Sequence, residues 1–211
     1  MDVKGLFYEK QGKLLVKNLQ SRHFDAYYCS DRKSALEQAL KLIPAESKVG
    51  WGGAVSAQQI GLMDAVKSGG YAYIDRDECK TQADREDAMR KCLHTDVFLT
   101  GVNAISLDGQ MVNIDGTGNR VAALVYGPKT VIVIVGMNKV VATLQDAIQR
   151  ARTVAAPMNQ QRFMRNVPCS RTGACADCKS DECICNQILI TRNCNPIGRI
   201  KVILVGEALG F

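Results

Sequence analysis

The stretch 48-KVGWGGAVSAQQIGLMDAV-66 decides the architecture. Lys48 to Trp51 reads as a short strand, Gly52-Gly53 turn the chain, and the residues from Ser56 to Val66 read as helix. A strand that passes through two glycines straight into a helix is the joint of an α/β fold, and the same joint recurs on either side. Upstream, FDAYYC (24–29) is a strand candidate, and Ser30-Asp31 supply an N-cap for the helix SALEQALKLI (34–43), which Pro44 stops. Before it, the first twenty residues can share Leu6, Leu14, Leu15 and Leu19 on one helical face. Downstream, Gly69-Gly70 lead into the strand YAYID, Thr81 to His94 reads as helix, and DVFLTG as the next strand. Strands and helices alternating over short connections predict an α/β fold with a mainly parallel sheet.

After Val102 the rhythm changes. Asp108-Gly109 between two apolar segments signals a hairpin. VAALVYG (121–127) and TVIVIVG (130–136) read as buried strands around Gly127-Pro128, and a helix is expected from about Lys139 to Thr153. RIKVILVG has the pattern of a buried strand, placed at 199–206, that returns to the sheet. With no repeat and no low-complexity linker, residues 1–211 are expected to form a single domain, from which the cysteine-rich segment 166–195 departs as an excursion.

The composition, 46% hydrophobic and 23% charged over 211 residues, is that of a globular chain. No apolar run is long enough for a membrane span, and the charged N-terminus lacks a signal-peptide core, so a cytoplasmic protein with reduced thiols is expected. The net charge of +6 is uneven: residues 150–211 carry nine lysines and arginines against four carboxylates, and the rest is close to neutral. The basic excess thus travels with the cysteines and suits an anionic ligand or a thiolate cluster. With no basic run and no aromatic-interleaved motif, a nucleic-acid partner is not expected.

Five cysteines lie in 169-CSRTGACADCKSDECIC-185, spaced Cys169-x5-Cys175-x2-Cys178-x4-Cys183-x-Cys185, with Cys194 beyond. A C-x2-C step lets two thiolates reach one metal centre from a tight turn, which Gly173 eases. Zinc usually takes two separated C-x2–4-C knuckles, so the crowding into one loop leans toward an iron–sulfur cluster, with 4Fe-4S the expected type and zinc or free thiols as alternatives. Cys183 and Cys185 flank a single residue, and only one of the two is expected to face the cluster. The expected ligands are therefore Cys169, Cys175, Cys178 and Cys185, with Cys183 or Cys194 as substitutes. Cys194 is alternatively a core residue beside the final strand, and Cys29, Cys79 and Cys92 read as small, partly buried core residues.

Two segments point to an anion site. Gly52 and Gly53 follow a strand and open a helix, where backbone N–H groups favour an anion. In 113-NIDGTGNR-120, Asp115-Gly116 turn the chain and Gly118 permits positive φ. Asn119 and Arg120 precede an apolar segment, where a long cation is costly unless paired; Arg120 either clamps a carboxylate or phosphate, or pairs with Asp115. Asn138 and Lys139 form a second junction of the same kind. His23 and His94 sit in no catalytic pattern. Asp115 and Glu207 are the candidates for the nucleophilic or basic carboxylate of a transferase or isomerase.

WGGAVSAQQIGL, TGVNAISLDGQMVNIDGTGNRVAALVYGPK, VGMNKVV and RIKVILVGEALGF together resemble the LUD (lactate-utilisation) domain family, over nearly the whole chain. The resemblance implies a three-layer α/β/α domain with a mainly parallel sheet, similar to the sugar-phosphate isomerase and CoA-transferase fold. Some members belong to iron–sulfur sets that oxidise lactate to pyruvate with partner subunits. The expected substrate site comprises Gly52, Gly53, Ser56, Asn103, Asp115, Gly118, Asn119, Arg120, Asn138 and Lys139. Ala54 stands where many members have serine and Gln59 where an acidic residue is common, so contacts in that loop fall to backbone N–H groups and Ser56. The expected function is an iron–sulfur protein that acts in oxidation of a small hydroxy acid. The expected partners are a small anionic substrate, electron-transfer proteins and, as an open alternative, a second copy of the chain. A non-redox enzyme on a phosphate or CoA-type substrate with a structural metal, or a metal- or redox-sensing module, are the alternatives.

Overall fold

The computed structural model describes residues 2–211. Helix α1 (Val3–Ser21) leads to β1 (Asp25–Cys29), α2 (Arg32–Lys41), β2 (Lys48–Trp51), α3 (Val55–Gln59), α4 (Leu62–Ser68), β3 (Ala72–Ile74), α5 (Gln82–Lys91) and β4 (Val97–Gly101). A second run holds β5 (Ala104–Ser106), β6 (Met111–Asp115), α6 (Asn119–Val125), β7 (Thr130–Gly136), β8 (Val140–Val141), α7 (Leu144–Arg150), α8 (Ala156–Gln160), α9 (Pro168–Thr172), β9 (Gln187–Thr191) and β10 (Ile200–Val205).

The helix starts are written locally. Asp31 accepts from Ser34 N at 2.8 Å in a capping box, Thr81 accepts from Asp84 N at 3.1 Å, and Thr143 and Asp146 form a second capping box. The strands assemble into a six-stranded sheet of order β1-β10-β7-β4-β2-β3, in which every neighbouring pair is parallel. Alternate residues of a strand face opposite sides, so the unbroken apolar run of β7 is explained by burial on both faces. Val131, Val133 and Val135 pack with Leu15 and Leu19 of α1 and Leu124 of α6. Ile132 and Ile134 pack on the other face with Ala35 and Ala39 of α2, Ala57 of α3 and Leu62 of α4. This is a mostly parallel sheet with helices on both sides, the fold class expected from the alternation. Cys29 and Cys92 sit in these cores. Cys194 joins them too, its Sγ accepting from Ile200 N at 3.2 Å. Cys79 is half-buried beside the turn Arg76–Glu78.

A second, four-stranded sheet of order β8-β5-β6-β9 carries the hairpin expected at Asp108-Gly109, with β5 and β6 antiparallel. Ala147 of α7 and Ala151 cover its Ala104, Val112 and Ile114. From α7 the chain passes through one π turn, Ala151–Ala155, into α8.

Three local expectations are corrected. VAALVYG is not a strand: Val121 to Val125 belong to α6, with Val121, Ala123 and Leu124 buried and Val125 and Tyr126 turned to solvent. Seven residues are too few for periodicity to separate helix from buried strand, and the Asp115 cap described below decided it. The helix expected over 56–66 is two helices, because Gly61 adopts φ 78° between them. The helix expected from Lys139 starts only at Leu144, after Lys139 has closed a 3-10 turn and Val140–Val141 have paired with β5.

β7 ends at Gly136, where a Cβ would run into Leu209 N and lie 2.5 Å from Asn138 Oδ1 and 2.9 Å from Glu207 O. Two of those three are backbone atoms and cannot rotate away. Gly136→Ala is therefore expected to destabilise the fold by about 1–3 kcal/mol, seen as a lower urea midpoint with an unchanged m value.

Candidate functional site

In a parallel sheet every strand ends on the same side, and ligands bind beyond those ends. Here β2 ends in Gly52-Gly53, β4 in Val102-Asn103 and β7 in the 3-10 turn Met137–Lys139. Lys139 is brought across this edge onto α3: its Nζ donates to Ser56 Oγ at 3.0 Å and to Val102 O at 3.1 Å. Only 4% of it is exposed. Burial, assisted by the positive charges of Arg150 and Arg120, lowers its pKa from 10.5 to about 7. Sequence reasoning found Lys139 as an anion-binding cation; the structure makes it a lysine that titrates near neutrality. No sequence signal carries that, because every perturbing group comes from another element.

Arg120 stands in the first turn of α6. Gly118 turns the chain with φ 90°, and the Asp115 carboxylate accepts the backbone N–H of Arg120 at 3.0 Å and of Val121 at 3.2 Å. Asp115 is thereby used as a helix cap and reaches the Arg120 guanidinium only at 4.0 Å. The guanidinium donates instead to Asn103 Oδ1 at 3.1 Å and to Ile114 O, while its buried Nε has no partner among the described residues. Its stem lies on Gly53, where φ is 58° and a Cβ would stand 2.7 Å from Arg120 Cδ. Burial lowers the pKa of Arg120, and Asp115 partly offsets this.

Gly53, Ser56, Asn103, Asp115, Asn119, Arg120 and Lys139 all line one cleft of about 360 Å³. Gly52 sits behind it, its carbonyl accepting from Thr100 Oγ1 at 2.8 Å. Gly118 serves the turn, and Asn138 accepts from Leu209 N at 3.0 Å, fixing the segment after β10. Glu207 lies apart from the cleft and pairs with Arg32 at 2.8 Å. Four further cations that sequence reasoning missed line the cleft: Arg76, Arg85, Arg162 and Arg165. They belong to segments far apart in sequence and share no motif.

Beside this cleft is a second cavity, of about 280 Å³, lined by Cys169, Cys175, Cys178, Cys183 and Cys185. Cys183 and Cys185 both open on this cavity, against the expectation that only one of them would: side chains two residues apart fall on the same side of the chain, and Cys185 N faces Cys183 Sγ at 3.4 Å. Burial pushes the Cys185 thiol up to about 12, with the thiols of Cys183, Cys175 and Cys169 adding to it. Cys169 is raised for the same reasons, burial first and then Cys178. Thiols so crowded resist ionising together unless a cation is among them. Gln160 also lines the cavity, fully buried, and neither end of its amide has a partner among the described residues. Ile114, Ala156, Cys183 and Ile184 border both cavities, so the thiols and the cationic cleft share a wall. Among the described residues no three His, Cys, Asp or Glu side chains are grouped as a ready site for a single ion. Among them, too, no helix is long and apolar enough to cross a membrane.

The family model described as LUD domain matches residues 12–205. No curated protein matches the chain. Among solved structures, a DUF162 family protein from Deinococcus radiodurans is similar with a TM-score of 0.52 and 14% identity, over 94% of this chain and 98% of that one. Ribose 5 phosphate isomerase A from Neisseria gonorrhoeae is similar over 54% of each chain, with a TM-score of 0.35 and 17% identity.

Proposed function

This chain belongs to the LUD domain family, and we propose that it is an iron–sulfur protein acting in oxidation of a small 2-hydroxy acid such as lactate, with partner electron-transfer proteins. The observation that carries the reading is the wall shared by the thiol cavity and the cationic cleft, with Cys183 bordering both.

The thiol cavity fits such a group. Five thiols line the cavity, more than the four donors that a zinc ion takes, and a cluster distributes its thiolate ligands over separate irons. The unpartnered Gln160 amide supplies a buried donor for a cluster sulfur or a ligand thiolate. Cys169, Cys175, Cys178 and Cys185 are the proposed ligands, and a 4Fe-4S cluster held by them would supply one-electron transfer.

In the cleft, Arg120 takes the substrate carboxylate through the part of its guanidinium that lines the cleft, and Gly53 lets its stem lie close against the chain. Oxidation of a 2-hydroxy acid to the 2-oxo acid removes two electrons and two protons. Lys139 Nζ, uncharged in a large share of molecules near pH 7, accepts the hydroxyl proton. The Cα hydrogen leaves with the electron pair as hydride to a flavin- or nicotinamide-class acceptor carried by a partner protein, whose electrons the cluster would relay one at a time. Ser56 and Val102 O hold Nζ in place meanwhile.

Anaerobic purification tests the cluster: matching iron and acid-labile sulfide with a broad visible thiolate-to-iron absorption is expected. Stoichiometric zinc without colour would instead favour a non-redox enzyme on the same fold, for which the near-neutral lysine already offers a proton-transfer group. Arg120→Ala is expected to weaken lactate binding at least about tenfold, the worth of a charge-assisted hydrogen bond. Titration calorimetry that finds lactate affinity unchanged removes Arg120 from the substrate site.

A further inference from the structure

Three sides of the one cleft each hold two cations. Its floor holds Arg120 and Lys139, the side built by the turn Arg76–Glu78 and α5 holds Arg76 and Arg85, and the side after α8 holds Arg162 and Arg165. Their neutralisation is unequal. Arg85 meets Asp77 at 2.8 Å, and Arg76 leans on the same carboxylate at 4.0 Å. Arg162 and Arg165 have no ion-pair partner among the described residues. Arg162 donates to Asn159 Oδ1 at 3.2 Å, and Arg165 makes only a long contact of 3.4 Å to the carbonyl of Glu182. Both guanidinium groups lie over the Phe163 ring, at 5.6 and 5.4 Å from its centre, and Arg162 is also 5.9 Å from the Phe211 ring.

A monocarboxylate uses the buried guanidinium of Arg120 and leaves this outer pair unanswered. Two like charges gathered at one aromatic ring, with no ion-pair partner, raise the positive potential there and favour an anion. The cavity is also continuous from floor to mouth, and its volume of about 360 Å³ falls in the range of sites for ligands larger than a three-carbon acid.

We infer that the substrate carries two anionic groups: a 2-hydroxy carboxylate that reaches the Arg120 and Lys139 floor, and a phosphate ester or second carboxylate held by Arg162 and Arg165 at the mouth. This rests on the hydroxy-acid reading above and narrows it. Lactate fills only the inner half of the site.

The test is titration calorimetry on the anaerobically purified protein at constant ionic strength, with lactate, malate and 3-phosphoglycerate as probes. All three share the 2-hydroxy acid; malate adds a carboxylate and 3-phosphoglycerate a phosphate. One or both dianions are expected to bind at least tenfold more tightly than lactate, and which one does identifies the second group. Arg162→Ala with Arg165→Ala is expected to bring the ratio of affinities close to one, and the glutamine pair is expected to do the same should the alanine pair fold poorly. Lys10→Ala with Lys17→Ala, the same loss of charge on the exposed side of α1, is expected to keep the ratio. Equal affinities in the unmodified protein overturn the inference. So does a preference that survives loss of the arginine pair, or one that falls equally in the lysine control. Binding of lactate with no dianion preference leaves the hydroxy-acid reading standing, whereas failure of all three probes to bind overturns both.

Discussion

Lys139→Met is expected to lower the turnover of a 2-hydroxy acid by about 10²–10⁴-fold, the usual worth of a positioned general base. Methionine keeps much of the volume and removes the amine. The distinguishing measurement is the pH profile. In the unmodified protein kcat/KM should rise through about pH 7, where Nζ gives up its proton, and Lys139→Met should lose that rising limb along with the rate. A residue that merely filled space would leave the limb in place. Stability carries the same signature with a definite sign. The lysine pKa is lower folded than unfolded, so between about 7 and 10.5 the unfolded chain binds more protons than the native one. Stability must then rise with pH across that window, and below it the full cost of a buried ammonium is present. Denaturation midpoints between pH 6 and pH 9 are expected to climb in the unmodified protein relative to Lys139→Met, by a difference on the order of a few kcal/mol. Parallel curves for the two proteins would place the native Nζ pKa above that range.

Cys178→Ser is expected to abolish the iron and sulfide content together with the visible absorption, because serine replaces the soft thiolate that iron prefers. The same loss is expected at Cys169, Cys175 and Cys185. Cys183→Ser should keep the iron, since four thiolates suffice and Cys183 stands on the wall between the two cavities. Cys79→Ser, remote from the cavity, is the control. Circular dichroism of each variant separates loss of the cluster from loss of the fold. Iron retained in Cys178→Ser but lost in Cys183→Ser would exchange the two residues in the ligand set without removing the centre. Iron retained in all five single variants would place the metal elsewhere.

The main sheet was readable because its information is local. The run of β7 is apolar without alternation, as burial on both faces requires, and Gly52-Gly53 after Trp51 marked a strand-to-helix joint that the structure contains. Asp31 and Asp108-Gly109 act through hydrogen bonds and turns spanning only a few residues, so neighbours in sequence sufficed to place a cap and a hairpin. α6 was missed because its start depends on Asp115 turning back to cap it, and its seven residues read equally well as buried strand. Arg120 and Lys139 were picked out from their positions at element boundaries, but their surroundings were not legible. Arg162 and Arg165 drew no notice, since an exposed arginine after a helix is ordinary until another wall is seen facing it.

By itself the sequence determined the α/β class, the parallel core and a loop dense enough in thiols to raise the question of a metal. These follow from periodicity, turn chemistry and spacing, all of which act over a few residues. Only the tertiary structure decided what the residues do together. It brought Lys139 to Ser56 across 83 residues of chain and gave Asp115 to the α6 backbone rather than to the Arg120 guanidinium. It also set the thiol cavity against the cationic cleft. The physical reason is that burial, electrostatic coupling and a shared wall are properties of distances through space, and a parallel sheet gathers its strand ends without regard to their separation along the chain.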